Sequence, residues 1–141
     1  MSPKTSIILC TYNEANYIEN AILELEKNIP NLEIVIVDDS SSDGTVEIIK
    51  KINQSNKYKV IFRNKSRSLA SAFVRGVIET TGENIGWIDT NMGEVASKFP
   101  EMSKELNNKV IKILSILNQA FPKSGLTIRR SNPIFLDTAS T

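Results

Sequence analysis

The chain has 141 residues, of which 40% are hydrophobic and 23% charged, and its formal net charge is +1. This composition is typical of a globular domain with a sizeable core, and so small a net charge argues against nucleic-acid binding through gross electrostatics. A single cysteine excludes an intramolecular disulfide, and the absence of histidine removes the most common general base and zinc ligand.

Apolar runs and helix-period patterns alternate along residues 6–89. The predicted elements are, in order, strand 6–9, helix 15–28, strand 33–37, a helix from 45, strand 59–63, a helix from 68 to about 82, and strand 84–89. The run EIVIV is too continuously apolar for a half-exposed strand, and Asp43 and Ser68 are candidate helix caps. The alternation predicts an α/β domain with a doubly wound, mainly parallel sheet.

Each predicted strand is followed by a polar segment. These segments are CTYNE, DDSSSDGT, RNKSR and DTNMGE, in chain order. In open parallel sheets, ligands bind beyond the carboxyl ends of the strands. The carboxylates, hydroxyls, amides and cations of the four segments are therefore expected along one edge of the sheet, which the sequence predicts to be the ligand-binding edge.

The segment DDSSSDGT has more than one interpretation. A calcium loop of the EF-hand type is excluded because Lys50 stands at the twelfth position, where a bidentate glutamate is required. A turn with a helix cap explains Asp43 and the two residues after it, but it does not explain Asp38 and Asp39. Two adjacent carboxylates at the end of a buried strand repel each other unless something binds them. A nucleoside offers suitable donors in its base N–H groups and ribose hydroxyls.

The segment DTN allows two interpretations. Asp89 either caps the segment that follows it or joins Asn91 in a site for Mg²⁺ or Mn²⁺, cations that combine a few protein oxygens with substrate phosphates. The place of Asp89 at the end of the fourth strand favours the cation site. Cys10 is interpreted as a packing residue, since no histidine or cationic cluster would lower the pKa of its thiol. Tyr12 is either a core residue or a ring that stacks on a base.

Three segments together resemble family 2 of the glycosyltransferases, which has the GT-A fold. They are SIILCTYNEANYIENAI, EIVIVDDSSSDGTVEII and RSLASAFVRGVIETTGENIGWIDTNM. Within that family the likeness is greatest to dolichol-phosphate mannosyltransferase and similar polyprenyl-phosphate glycosyltransferases. The resemblance implies a nucleotide-sugar-binding GT-A half at residues 1–101. Residues 102–141 are left as a C-terminal helix and tail of unassigned function, so the fold is expected to be truncated or divergent at that end.

The resemblance implies a role for the residues at the first two polar segments. Asp38 and Asp39 would hold the base and the ribose of the nucleotide. Thr11, Tyr12 and Glu14 would line the same nucleotide pocket. On the view that the two carboxylates are unpaired without ligand, Asp39→Ala is expected to abolish nucleotide binding and to leave the thermal midpoint unchanged or higher.

The resemblance also assigns the fourth segment. Asp89 and Asn91 stand where the family's Asp-x-Asp motif coordinates a metal ion, here Mg²⁺ or Mn²⁺, bound to the diphosphate of the sugar nucleotide, and they would be the catalytic pair. Arg67 is either a diphosphate contact or a solvated basic residue. Asn91 replaces the usual second acid, which weakens the implied metal site. Gly93 replaces a polar residue that is common in this group, and Glu94 is a candidate compensation.

The implied function is transfer of a sugar from a GDP- or UDP-linked donor to a polyprenyl phosphate. A chain without a secretory signal or a long apolar stretch is expected in the cytoplasm, here peripheral to the cytoplasmic face of a membrane. The alternative is a non-catalytic nucleotide-binding remnant, favoured by Asn91 and by the short C-terminal part. A phosphoacceptor receiver domain is disfavoured, because KVIFRN offers no aspartate after the third strand.

The C-terminal part predicts one helix and one strand. An apolar stripe from Leu106 to Phe121 is typical of a helix that either packs on a core or lies on a membrane with its lysines outward. The segment GLTIRRSNP allows a strand with a basic end. Arg129 and Arg130 match no acceptor-phosphate motif of the family.

Overall fold

The computed structural model describes residues 3–64, 68–98, 101, 126–127 and 135–136, without the side chains of 92–95 and of the last two pairs. The chain divides into two units, Met1–Pro100 and Glu101–Thr141. Arg67 and the predicted helix of residues 106–121 lie outside the described residues. So do Arg129 and Arg130, together with the side chain of Glu94.

The first unit alternates strands and helices as the sequence predicts. Its elements are β1 (Thr5–Thr11), α1 (Ile18–Asn28), β2 (Leu32–Asp38), α2 (Thr45–Ile52), β3 (Lys59–Phe62), α3 (Leu69–Glu79), β4 (Asn84–Trp87) and a 3₁₀ segment, Thr90–Lys98. In the second unit, β5 (Leu126–Thr127) pairs antiparallel with β6 (Phe135–Leu136). Ser68 caps α3 as predicted, because its side chain accepts a hydrogen bond from the Ser71 backbone N–H.

The four strands of the first unit form one parallel sheet in the order β3-β2-β1-β4. This order confirms the predicted doubly wound α/β architecture. The chain runs outward from β1 to β3 and then returns to the other side of β1, so the strand order reverses between β1 and β4. Open α/β sheets bind ligands at such a reversal, beyond the carboxyl ends of the strands.

Apolar side chains cover both faces of the sheet. On one face Ile7, Leu9 and Ile36 pack with residues of α1, α2 and the 3₁₀ segment. On the other face α3 packs on β1 and β2. A Cβ at Gly76 would lie 2.5 Å from the Cγ2 of Ile8, so the absence of a side chain there permits the close approach of α3. The two-sided burial predicted for EIVIV is confirmed, since Ile34 to Val37 are all buried.

Glu33 ties together the amino end of the sheet, opposite the predicted ligand edge. Its carboxylate accepts hydrogen bonds from the Ser6 Oγ at 2.5 Å and from the backbone N and Oγ1 of Thr81, both at 2.8 Å. Lys4 and Lys59 lie at 3.2 and 3.0 Å. Burial by itself would raise the pKa of Glu33, but the hydrogen bonds from Ser6 and Thr81 outweigh it and lower the pKa to about 2.

We expect Glu33→Gln to lower the free energy of unfolding at pH 7 by about 1–3 kcal/mol, because charged hydrogen bonds are lost. The folded pKa lies below the ordinary value of 4.5, so the stabilisation is complete above pH 4.5 and is lost as the pH falls towards 2. Urea denaturation at several pH values measures the difference in free energy of unfolding between wild type and variant. This difference should become smaller as the pH falls from 4.5 towards 2. The exposed Glu47→Gln is the control, and an equal, pH-independent effect of both variants would contradict the assignment.

Candidate nucleotide site at the carboxyl edge of the sheet

Asp38 is the last residue of β2 and Asp39 follows it, and their side chains have different partners. Successive side chains of a strand alternate between faces, and the hydrogen-bond partners of the two carboxylates follow that alternation. Asp38 bonds to residues of the β1 and β2 ends, whereas Asp39 bonds to a residue that contacts α3. The two charges are therefore adjacent in sequence but have separate environments.

Asp38 is fully buried and bound by neutral donors. The Oγ1 of Thr11 donates to its Oδ2 at 2.8 Å, and the Oγ of Ser41 donates to the same oxygen at 2.6 Å. The backbone N–H of Ser41 donates to Oδ1 at 3.0 Å. Because Asp38 has no exposed surface and three protein donors, it joins the end of β1 to the loop after β2.

Asp39 forms a two-point ion pair with Arg63. The Nε of Arg63 donates to Oδ1, and its Nη2 donates to Oδ2 at 2.6 Å. The Nη1 of Arg63 also donates to the Ser71 Oγ at 2.9 Å, and Nη2 to the Ser68 carbonyl at 3.2 Å. The side chains of Arg63 and Asp39 are only 12% and 9% exposed. The hydrogen bond to Asp39 raises the pKa of Arg63, so the cation is firmly retained.

The expectation that the two carboxylates lack partners in the protein is wrong. Successive side chains along an extended chain point to opposite sides, which separates the two carboxylates, and the charge of Asp39 is neutralised by Arg63. The segment RNKSR is expected at the same edge from the sequence, but no sequence motif pairs Arg63 with Asp39. The pairing depends on register: Asp38 lies beside Phe62 in the parallel ladder, so the next residues along the two strands are Asp39 and Arg63.

The rest of DDSSSDGT latches the loop after β1 to the loop after β2. The latch consists of backbone N–H groups from one loop and side-chain oxygens from the other. Its hydrogen bonds are Asn13 N to Ser41 Oγ at 2.8 Å, Ser42 N to Asn13 Oδ1 at 2.9 Å, Glu14 N to Thr45 Oγ1 at 2.9 Å, and Ala15 N to Asp43 Oδ2 at 3.1 Å. This latch gives the polar run a structural role that its composition does not reveal.

Three residues of these two loops have a positive φ. Asn13 and Ser40 have φ angles of 56° and 59°, and Gly44 has a φ of 102°, in the left-handed region. Helix α2 begins at Thr45 as predicted, with Gly44 at the N-cap position. Asp43 still serves the helix start, because its Oδ1 accepts hydrogen bonds from the backbone N and the Oγ1 of Thr45 at 3.1 and 2.5 Å. Thr45 is the largest cause of the lowered pKa of Asp43.

The structure places the remaining predicted pocket residues on the same loops. Thr11 is buried at the end of β1, and its hydroxyl is engaged by Asp38. Tyr12 follows it with 49% of its surface exposed, which favours the edge position over the core position. Glu14 is half-buried, and its backbone N–H belongs to the latch. The carboxyl edge thus presents a ring and a carboxylate on a fixed loop.

Asp89 and Asn91 lie on the other side of β1, after β4, and both are exposed. Thr90 between them is buried, and its Oγ1 has no hydrogen-bond partner within the described part of the chain. Over those residues no group of three or more acidic, cysteine or histidine side chains could hold a metal ion. An exposed carboxylate and an amide oxygen nevertheless suit Mg²⁺ or Mn²⁺, which needs only one or two protein oxygens when substrate phosphates supply the rest.

Cys10 lies between the two acidic positions. Burial is the main reason that its pKa is raised to about 12, the charges of Asp39 and Asp89 raise it further, and Arg63 opposes them. The thiol is therefore protonated near neutral pH and is a packing group, as the sequence analysis predicts. In the sheet β1 lies between β2 and β4, so Asp39 and Asp89 follow the two strands that flank β1 at the reversal of strand order.

Asp39→Ala is expected to lower the free energy of unfolding by about 3 kcal/mol, because it leaves the guanidinium of Arg63 buried without its counter-ion. Chemical denaturation measures the change. The control is Glu79→Ala, which removes the half-exposed pair with Arg75 and should change stability by about 0.5 kcal/mol or less. An unchanged or higher midpoint for Asp39→Ala would contradict the pairing and would restore the expectation from sequence alone.

Comparison with known proteins gives one family. Residues 6–90 match the model described as Glycosyl transferase family 2. A dolichol-phosphate mannosyltransferase of Pyrococcus furiosus is 32% identical over 107 residues, which cover 74% of this chain and 30% of that protein. Another from Mycosarcoma maydis is 30% identical over 118 residues, 77% of this chain and 40% of that protein. The chain therefore spans well under half the length of these curated relatives.

Solved structures agree with this result. Mannosyltransferase PcManGT from Pyrobaculum calidifontis, in complex with GDP-Man and Mn²⁺, matches with a TM-score of 0.58 and 27% identity, over 64% of this chain and 28% of that one. Staphylococcus aureus TarS 1–349 in complex with UDP matches with a TM-score of 0.53 and 25% identity, over 70% and 32%. The predicted GT-A fold is confirmed by these neighbours.

Proposed function

This chain belongs to glycosyl transferase family 2, and on that premise we propose that it binds a nucleotide-sugar donor at the carboxyl edge of its sheet. The donor is a GDP- or UDP-linked sugar. The observation that carries the proposal is the strand order β3-β2-β1-β4, which places the polar ends of β2 and β4, with Asp39 and Asp89 just beyond them, on either side of β1. That point is the reversal of strand order, where sheets of this kind bind their ligands.

Asp39 and Tyr12 suit the nucleoside part of the donor. A carboxylate accepts hydrogen bonds from base N–H groups and ribose hydroxyls. The exposed ring of Tyr12 offers a flat apolar face on which a base can stack. The latch of residues 13–15 and 41–45 fixes the loop that carries Tyr12, so less loop entropy is lost when the ligand binds.

Asp89 and Asn91 suit the diphosphate part through a divalent cation. These two residues would hold Mg²⁺ or Mn²⁺ together with oxygens of the diphosphate. When bound, the cation supplies positive charge that offsets the charge developing on the leaving nucleoside diphosphate. A mannosyltransferase of similar structure is complexed with Mn²⁺ and GDP-Man, which supports this assignment for a member of the same family.

The acceptor is proposed to be a polyprenyl phosphate. Two relatives are dolichol-phosphate mannosyltransferases, which supports a lipid phosphate and makes GDP-mannose the first donor to test. An acceptor phosphate oxygen would attack the anomeric carbon while the bond to the nucleoside diphosphate breaks. A phosphate is already ionised at pH 7, so a chain without histidine needs no general base for this step.

The proposed location follows from the acceptor. A lipid phosphate lies at a membrane surface, and a soluble nucleotide sugar is available in the cytoplasm, so the protein would act at the cytoplasmic face of a membrane. Across the part of the chain that the structure describes, no helix is both long and apolar enough to cross a bilayer.

The first test measures donor binding by calorimetry with GDP, UDP and their sugars, with and without Mn²⁺. We expect binding at micromolar or weaker affinity that strengthens with Mn²⁺. Transfer from labelled GDP-mannose and UDP-glucose to a short polyprenyl phosphate is then assayed with the same chain. Binding with poor transfer is expected of a chain that spans a fraction of its relatives. No nucleotide binding at all would refute the proposed function.

A second test addresses the cation site. Asn91→Asp adds an anionic ligand. We therefore expect nucleotide binding to need about tenfold less Mn²⁺, a difference of about 1.4 kcal/mol in the free energy of Mn²⁺ binding. Titration of Mn²⁺ at a fixed nucleotide concentration gives the Mn²⁺ concentration at half-maximal binding for each protein. Gln54→Glu, which adds the same charge at an exposed position after α2, is the control. Equal Mn²⁺ curves for wild type and Asn91→Asp would remove Asp89 and Asn91 from the metal site.

A further inference from the structure

We propose that Arg63 is a positioning residue for the nucleotide, which holds the Asp39 carboxylate in the orientation that receives the nucleoside. The inference rests on the proposed function, because it concerns the same pocket. It assigns different tasks to the two neighbouring aspartates and adds a residue that the sequence motifs do not mark.

The acceptor capacity of the two carboxylates decides which one contacts a ligand. An ionised carboxylate has about four acceptor positions on its two oxygens. Asp38 is completely buried and takes three donors from Thr11 and Ser41, so it has no surface for a ligand. Asp39 takes two donors from Arg63 and keeps some exposure. About two acceptor positions therefore remain on Asp39 for base or ribose donors.

The fork geometry of Arg63 fixes the orientation of the Asp39 carboxylate. Its Nε and Nη2 reach the two carboxylate oxygens, so the carboxylate plane is aligned with the guanidinium plane. The guanidinium is held in turn by Ser71 Oγ and the Ser68 carbonyl at the start of α3. The backbone of Arg63 is fixed as well, because its N–H donates to the Asp38 carbonyl at 2.8 Å and its carbonyl accepts from Ser40 Oγ at 2.6 Å.

Arg63 also adjusts the charge that an incoming nucleotide meets. A nucleoside diphosphate is anionic, and an unpaired Asp39 beside Asp89 would repel it. The guanidinium of Arg63 pairs with both oxygens of Asp39 and so offsets the charge of that carboxylate. The pair can therefore present hydrogen-bond acceptors to the nucleoside with little net negative charge.

Lysine cannot reproduce this arrangement, which makes Arg63→Lys the informative variant. A lysine keeps the charge but offers a single ammonium instead of a planar fork. It can neutralise Asp39 without fixing the carboxylate plane. If Arg63 mattered only for its charge, ligand binding by the folded variant would tolerate the change, whereas a positioning role would not.

The experiment compares wild type, Arg63→Lys and Arg63→Gln as 141-residue chains, at a temperature well below the unfolding midpoint of each. GDP and UDP binding is measured by calorimetry, and guanosine and uridine binding by NMR titration. We expect Arg63→Lys to weaken every ligand by about tenfold at a temperature where it is folded, and to have a lower midpoint, because the hydrogen bonds to Ser71 and Ser68 are lost. The control is Arg75→Lys, which alters a half-exposed pair on α3 and should leave binding unchanged.

The ligand pattern separates positioning from direct contact. Because Arg63 acts through Asp39 on the nucleoside, nucleosides and nucleotides should lose affinity by the same factor. A loss confined to GDP and UDP would show that Arg63 contacts the diphosphate and would overturn the inference. Wild-type affinity in Arg63→Lys would overturn it too, while leaving the proposed function intact. Failure of the wild type to bind any nucleotide would instead refute the proposed function and this inference together.

Discussion

The ion pair between Asp39 and Arg63 is the interaction on which the carboxyl edge depends. It joins the ends of β2 and β3 to the start of α3, and it makes two adjacent carboxylates tolerable at the end of a buried strand. Breaking a buried pair of this kind leaves an uncompensated charge. The same pair determines which oxygens remain available to a ligand, so the stability and the chemistry of this edge share one contact.

The two edges of the sheet use polar residues in different ways. At the amino edge, Glu33 is saturated by hydroxyl, amide and ammonium donors, and this arrangement serves stability. At the carboxyl edge, Asp38 and the loop latch are saturated in the same manner, but Asp89 and Tyr12 stay exposed. The exposed groups therefore lie on an edge whose geometry is fixed by hydrogen bonds between buried polar residues.

Much of the fold could be predicted because it depends on local pattern. The apolar run of β2, the cap at Ser68 and the start of α2 at Thr45 were predicted from residue types and spacing, and strand ends moved by only a few residues. The polar segments CTYNE, DDSSSDGT and DTNMGE were predicted to share one edge, and the parallel order of the strands that they follow agrees with this. The pairing of Arg63 with Asp39 was not predicted, because it depends on the register between β2 and β3. The sequence of one strand does not determine how it aligns with its neighbour.

The sequence by itself determined the βα alternation and the family, because periodicity and motif spacing are properties of the chain alone. Only the tertiary structure decided how the polar residues share their hydrogen bonds. It brought Asn13 to Ser41 and Asp39 to Arg63, over sequence separations of 28 and 24 residues. Such contacts depend on the strand order β3-β2-β1-β4 and on register. Strand order and register are both set by packing of the whole sheet, and neither can be predicted from a short segment of sequence.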